Sequence, residues 1–152
     1  MNNSTRIEFF VHGHPVAQPR ARATARGKHA HVYNPPTADV WKALVAVAAR
    51  PYLPEKPFTG PIWLTLEFAM RRPKSHYGTG RNENRLKPAA PRYHTFKPDL
   101  SNLAKAVEDA LTYVGMWHDD SQVFGGSISK GWASIPRRTG CLVIIEAIGE
   151  RT

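Results

Sequence analysis

A single cysteine stands in 152 residues, so this chain cannot close an internal disulfide. Cys141 lies in the apolar run Cys141-Leu142-Val143-Ile144-Ile145, which predicts a buried, reduced thiol of the kind a cytosolic protein keeps. Long apolar runs are missing too. No stretch approaches the roughly 20 residues needed to cross a bilayer as a helix, and Met1-Asn2-Asn3-Ser4-Thr5-Arg6 lacks the apolar segment of a signal peptide. The expectation is a soluble cytoplasmic protein with no membrane partner. Acids are also scarce: 12 Asp and Glu face 21 Lys and Arg, for a formal net charge of +9. That balance predicts a polyanionic partner.

The few acids are not spread evenly. Residues 1–60 carry eight Lys or Arg against three acids, and residues 61–98 carry eight against two. Residues 99–152 reverse the ratio, with five against seven, and five of those seven acids are Asp99, Glu108, Asp109, Asp119 and Asp120. An acidic focus in a basic protein suits a nuclease, in which basic groups hold phosphates and acids hold a metal. A merely solvated charged surface is the plainer alternative.

A chain of this length predicts one domain, residues 1–152, able to bury its own core. Arg6 to His12 reads as a strand closed by Gly13, and residues 13–36 as a long basic loop or irregular hairpin around Arg26-Gly27-Lys28. A helix should open at Pro36 or Thr37 and run to Arg50, burying Val40, Leu44, Val47 and Ala48. Residues 61–70 alternate as a strand with Leu64, Leu66, Phe68 and Met70 on one face. A second helix is predicted from Asp99 to Val114, with Leu103, Val107, Ala110, Leu111 and Val114 as its buried stripe and Gly115 just past its end. Strands follow at residues 121–133 and 140–148, the last apolar enough to be central. The fold class is mixed α/β (α+β): one mixed sheet, with two main helices packed mainly on one face. Trp41, Trp63 and Trp117 are expected in the core.

The chemistry concentrates between Lys97 and Val123. Asp99 stands where the second helix begins, and Asp119-Asp120 follow where it has ended, so the fold can return one acidic cluster towards the other. Mg²⁺ takes oxygen ligands and is commonly held by one or two carboxylates plus substrate phosphate. Duller readings stay open for each residue: Asp99 or Ser101 as an N-cap, Lys105 and Asp109 as an i,i+4 pair, and Asp119-Asp120 as a polar turn. Glu67 is either a helper carboxylate or an ordinary solvent-facing strand residue. His12-x-His14 and His29-x-His31 have zinc-chelate spacing but no Cys partners or HExxH-like motif. The long loop at residues 71–97 holds Arg71, Arg72, Lys74, Arg81 and Lys97 among its eight basic residues, interleaved with His76, Tyr77, Tyr93 and His94. With Arg20, Arg22, Arg26 and Lys28 of the first loop, these are the candidate DNA contacts.

The pattern Lys97-Pro98-Asp99-Leu100-x-Asn102-Leu103-x-Lys105, then Asp109-Ala110-Leu111, then Trp117-x-Asp119-Asp120-x-Gln122-Val123, resembles the RusA family of Holliday junction resolvases, common in prophages. The first strand and the loop with Pro19-Arg20 and Tyr33 resemble that family more loosely. The likeness runs over roughly residues 6–148, and only residues 97–123 are specific. It implies a bacterial or phage-encoded homodimer that acts at the nucleoid in DNA recombination and repair, resolving four-way junctions by paired, Mg²⁺-dependent nicking, with Mn²⁺ as a substitute. By position it implies Asp99 and Asp120 as metal-binding catalytic aspartates and Lys105 as a catalytic lysine. The family pattern has a second acid where this chain has Ser101. The implied metal set is therefore Asp99, Asp120, Ser101 and Asp119, with Asp119 or Glu67 supplying the missing charge. A junction-binding protein that does not cut, or a basic DNA-binding module with structural acids, are the alternatives.

Overall fold

In the computed structural model, residues 3–33 and 35–149 are described. Four long strands form one sheet: β1 (Ser4–His12), β4 (Ile62–Met70), β5 (Val123–Trp132) and β6 (Gly140–Ile148), in the order β1-β6-β4-β5. β6 runs antiparallel to both β1 and β4, whereas β4 and β5 are parallel, so the sheet is mixed. The central place of β6 follows from its composition, since Cys141, Val143, Ile145 and Ala147 are buried on one face and Leu142 and Ile144 half-buried on the other. A separate two-stranded ribbon, β2 (Arg22–Arg26) and β3 (His29–Tyr33), turns at Gly27-Lys28, with Gly27 in the left-handed region at φ 65° that its lack of Cβ permits.

Two helices cover one face of the large sheet. α1 (Asp39–Ala49) follows a short 3₁₀ turn at Pro36–Ala38, and α2 (Leu100–Val114) joins β4 to its parallel neighbour β5. α2 buries Leu103, Val107, Ala110 and Leu111 against Ile62, Leu64, Leu66 and Phe68 of β4, as their alternation and helical spacing predict. Gly115 ends α2 at φ 93°, with its N–H bonded back to the last turn. Trp41 and Trp117 lie in the core, and the Trp117 indole N–H donates to Thr112 Oγ1 at 2.7 Å.

The face of α1 differs from the expected one. Trp41, Val45 and Ala49 are buried, while Val40, Leu44 and Val47 stand 77%, 39% and 60% exposed. Both arcs of this helix are apolar, and the sheet takes the arc that carries the largest ring. Trp63 is also outside the core. It lies on the open face of the sheet, packed edge-on against Phe124 at 5.6 Å. The stretch expected to begin a strand at residue 121 is instead a 3₁₀ turn at Asp120–Gln122, and β5 starts at Val123.

The connection at residues 71–99 has only short 3₁₀ turns but is fastened to the body. Arg72 donates to the Pro91 carbonyl at 2.8 Å within the connection, and Lys130 of β5 ties it to the sheet by donating to the carbonyls of Phe96 and Pro98 at 2.6 and 2.9 Å. These bonds fix the entry to α2.

Candidate active site

Asp99 is the N-cap residue of α2, yet its side chain makes no capping bond. The carboxylate instead accepts two bonds from the Lys97 ammonium, at 2.9 and 3.1 Å. Those bonds and the Lys97 charge hold its carboxyl below the usual carboxylate range, with Lys130 and Arg20 adding to the effect. Ser101 lies inside the first turn of α2, exposed, and is not a cap either. Both capping readings of these residues therefore fail, and the oxygen atoms of Asp99 and Ser101 are left free of backbone duty.

Asp119 does cap. Its Oδ1 accepts from the Ser121 N–H at 2.8 Å, while Gln122 Oε1 accepts from the N–H groups of His118 and Asp119, both at 2.9 Å. Gln122 Nε2 then donates to the carbonyls of Phe58 and Gly60 at 2.8 and 3.0 Å. One glutamine thus clamps the acidic turn to the chain entering β4. The D-x-x-Q spacing carries that signal in the sequence, where Gln122 has no assigned role. With Asp119 engaged in the turn, Asp120 is the acid directed towards α2.

Lys105 meets it. Its Nζ lies 3.3 Å from Asp109 Oδ1 on the same helix face and 3.8 Å from Asp120 Oδ2 across the gap. Asp109 first, then Asp120 and Glu108, raise the Lys105 pKa and keep it charged. Lys42 of α1 approaches Asp109 from the other side, 3.8 Å away. Ser101, Lys105 and Asp109 recur at intervals of four on α2 and so share one face of the helix, the face that Asp120 approaches. The i,i+4 pair and the cross-loop contact both exist.

Glu108 joins this group without having been singled out from sequence. Burial first, and then the Asp120 charge, push its carboxyl above the ordinary range. A carboxyl with a raised folded pKa binds protons more tightly when folded. It therefore weighs against the folded state as pH rises through and beyond that folded pKa, and contributes nothing below the ordinary value of about 4.3. Glu108→Gln should consequently melt higher than the native chain at pH 7.5, with the gap closing by about pH 4. Melting curves across that range check the sign.

The remaining predicted residues fall elsewhere. Glu67 points from β4 to the open sheet face, away from α2, which leaves it unable to supplement Asp99 or Asp120. Arg20 lies near Asp99, and Arg22 and Lys28 are exposed on the β2–β3 ribbon; the Arg26 side chain lies outside what is described. Arg71, Lys74, Arg81 and Lys97 are exposed, whereas the Arg72 guanidinium is engaged by Pro91 and stacks over Trp132 at 5.0 Å. Among the described residues no three His, Cys, Asp or Glu side chains form a ready metal cluster, so the His pairs have no third zinc ligand. Cys141 is buried, its thiol pushed up to about 12, and is inert. No described helix is long and apolar enough to cross a membrane.

Comparison with known proteins gives this arrangement its context. The chain is 34% identical over 131 residues to the Uncharacterized protein YqaN of Bacillus subtilis (strain 168), an alignment spanning 86% of this chain and 91% of that protein. The family model described as Endodeoxyribonuclease RusA matches residues 12–140, which take in the basic ribbon, the 71–99 connection, α2 and the acidic turn. This chain therefore belongs to the RusA endodeoxyribonuclease family of Holliday junction resolvases.

Proposed function

We propose that this protein is a divalent-metal-dependent endonuclease that resolves four-way DNA junctions by paired nicking, in recombination and repair within the bacterial cytoplasm. The observation that carries this reading is the contact of Asp120 with Lys105 of α2, the helix that Asp99 begins, within a family of junction resolvases. Asp99 and Asp120 would hold Mg²⁺ or Mn²⁺, with the Ser101 hydroxyl as a neutral oxygen donor in the place of an acid. The donor set fits: it is all oxygen and partly exposed, and the lysine side chains that pair with Asp99 and Asp120 can turn to solvent or phosphate. Mg²⁺ would supply activation of water and neutralisation of the charge that develops on the phosphate. Lys105 then turns to the scissile phosphate as a cation. Lys97 and Arg20, beside Asp99, orient the adjacent backbone. The exposed ribbon and the 71–97 segment contribute the longer-range phosphate contacts.

Incubating the protein with a labelled synthetic four-way junction, with and without Mg²⁺, tests this reading. Symmetric nicks only in the presence of the ion support it. Tight junction binding with no nicks under either condition favours a non-cutting junction binder, the reading that Ser101 itself favours. Binding should also be steeply salt-dependent. With six or so phosphate contacts from the basic segments, affinity should fall by about 10³ or more between 50 and 200 mM salt. A flat response in an anisotropy titration would show that these segments do not hold DNA.

Paired nicking needs two sites related by a two-fold axis, and hence a homodimer. The outward stripe Val40, Leu44 and Val47 on α1 supports self-association, because three large apolar side chains at helical spacing otherwise face water. Leu44→Glu should shift the sedimenting species from dimer to monomer, and an unchanged mass would move the interface elsewhere.

A further inference from the structure

Beside Asp99 the structure holds a cavity of about 370 Å³ whose aromatic walls the nuclease reading does not use. Trp132, at the end of β5, is its hub. Its ring meets His94 at 4.4 Å, His76 edge-on at 5.0 Å and Phe96 at 6.3 Å, while the Arg72 guanidinium lies over it at 5.0 Å. Met70 forms the apolar floor, and Lys97 lies at the end next to Asp99.

A purely structural cluster would explain how the 71–99 connection is held, but two observations exceed that role. Phe96 is 54% exposed, an aromatic face turned to solvent next to the acidic site. His94, only 8% exposed, has no hydrogen-bond partner at Nδ1, and Trp132 has none at Nε1. Burial and the Lys130 charge lower the His94 pKa and so favour the neutral ring, which carries one accepting nitrogen. A native cluster that leaves two buried polar atoms unmatched is one in which a ligand can complete the pairing.

We propose that this cavity receives a single unstacked nucleobase from the DNA, next to the Lys97–Asp99 pair. The volume admits one base with part of its sugar. The walls offer aromatic faces for stacking, and Lys97 is placed for the attached phosphate. His94 and Trp132, which carry the unmatched nitrogens, both line the cavity that would take the base. This rests on the DNA-directed reading above, and it adds a reason for preferring distorted branch points: a base already unpaired enters without the cost of unstacking.

The test is a set of binding titrations in chelator, where nothing is cut. Four-way junctions and simple duplexes each carry either no unpaired nucleotide, one unpaired nucleotide, or one abasic residue at the same position. The native protein should bind the unpaired-nucleotide forms on the order of tenfold tighter than the fully paired ones, with the abasic forms losing that gain. Phe96→Ala, at a surface position that leaves the core intact, should erase most of the gain while leaving affinity for paired DNA within about twofold. Trp132→Phe, which keeps a ring, should retain part of it. No gain in the native protein, an equal gain for the abasic forms, or a gain that survives Phe96→Ala would each overturn the pocket. If the protein holds junctions no better than duplexes, the resolvase reading fails instead, and the duplex series still reports on the base.

Discussion

Asp120→Asn is expected to remove junction cleavage, by at least 10²–10³-fold, while junction affinity stays within a few-fold. The change swaps one oxygen for an amide and removes one negative charge from the group around Lys105. Lys105 keeps its nearer partner Asp109 at 3.3 Å, so little stability should be lost; partly exposed pairs of this kind are worth about 0–1 kcal/mol. DNA contact should not weaken, because the lost group is an anion facing a polyanion. Ser101→Asp is the companion variant. If cleavage needs another carboxylate on this face of α2, it should raise Mg²⁺-dependent cutting and shift the metal titration to lower concentration, through stronger attraction to a divalent ion. Asp120→Asn should abolish cutting in that background as well. A Ser101→Asp titration that overlays the native one would show that the hydroxyl serves without added charge. Cleavage by Asp120→Asn at the native rate would remove Asp120 from the site altogether.

The largest effect on stability is expected at Gly126. It sits in β5 opposite Leu64 with φ 146°, just past the register shift between Ile62 and Trp63. A Cβ there would come within 1.7 Å of the Leu64 carbonyl oxygen. Neither the backbone angle nor the space accepts a side chain, so Gly126→Ala should cost about 3 kcal/mol or more. Gly131 in the same strand has open space around its Cβ position, and Gly131→Ala should stay within about 0.5 kcal/mol. Urea unfolding of the two variants side by side is the measurement. Because β5 begins directly after the Asp120 turn, the Gly126 variant should also misplace that acid and lose cleavage ahead of global unfolding. Equal midpoints for the two would mean that the edge strand can shift without cost.

Much of this molecule can be read along the chain. The alternation Leu64, Leu66, Phe68, Met70 names one strand face because the intervening residues are more polar or smaller, and α2 is legible because Lys105, Glu108 and Asp109 leave a single apolar arc. α1 misleads for the opposite reason. Val40, Leu44 and Val47 are as apolar as Trp41, Val45 and Ala49, so helical spacing alone cannot choose the arc that faces the sheet. At the site, the motif residues Asp99, Lys105 and Asp120 stand out by type and spacing. Glu108 and Lys130 do not, since one acquires its character from burial beside Asp120 and the other reaches its carbonyl partners from 32 and 34 positions away. Asp99 itself shows the limit: sequence offers it as an ordinary cap, and only the placement of Lys97 removes its side chain from that role.

The lysines beside the acids act as counterions covalently carried by the chain. Lys97 at Asp99, and Lys105 shared between Asp109 and Asp120, offset part of the acidic focus before any divalent ion arrives. A phosphate backbone approaching this site would meet a weakened negative patch. Its own charge would compete for the same ammonium groups and so free the carboxylates as the DNA settles. Loading of DNA and loading of metal would then help each other, and substrate capture would not have to wait for the ion. A chelator should strip such a protein of its chemistry while leaving it seated on the branch point.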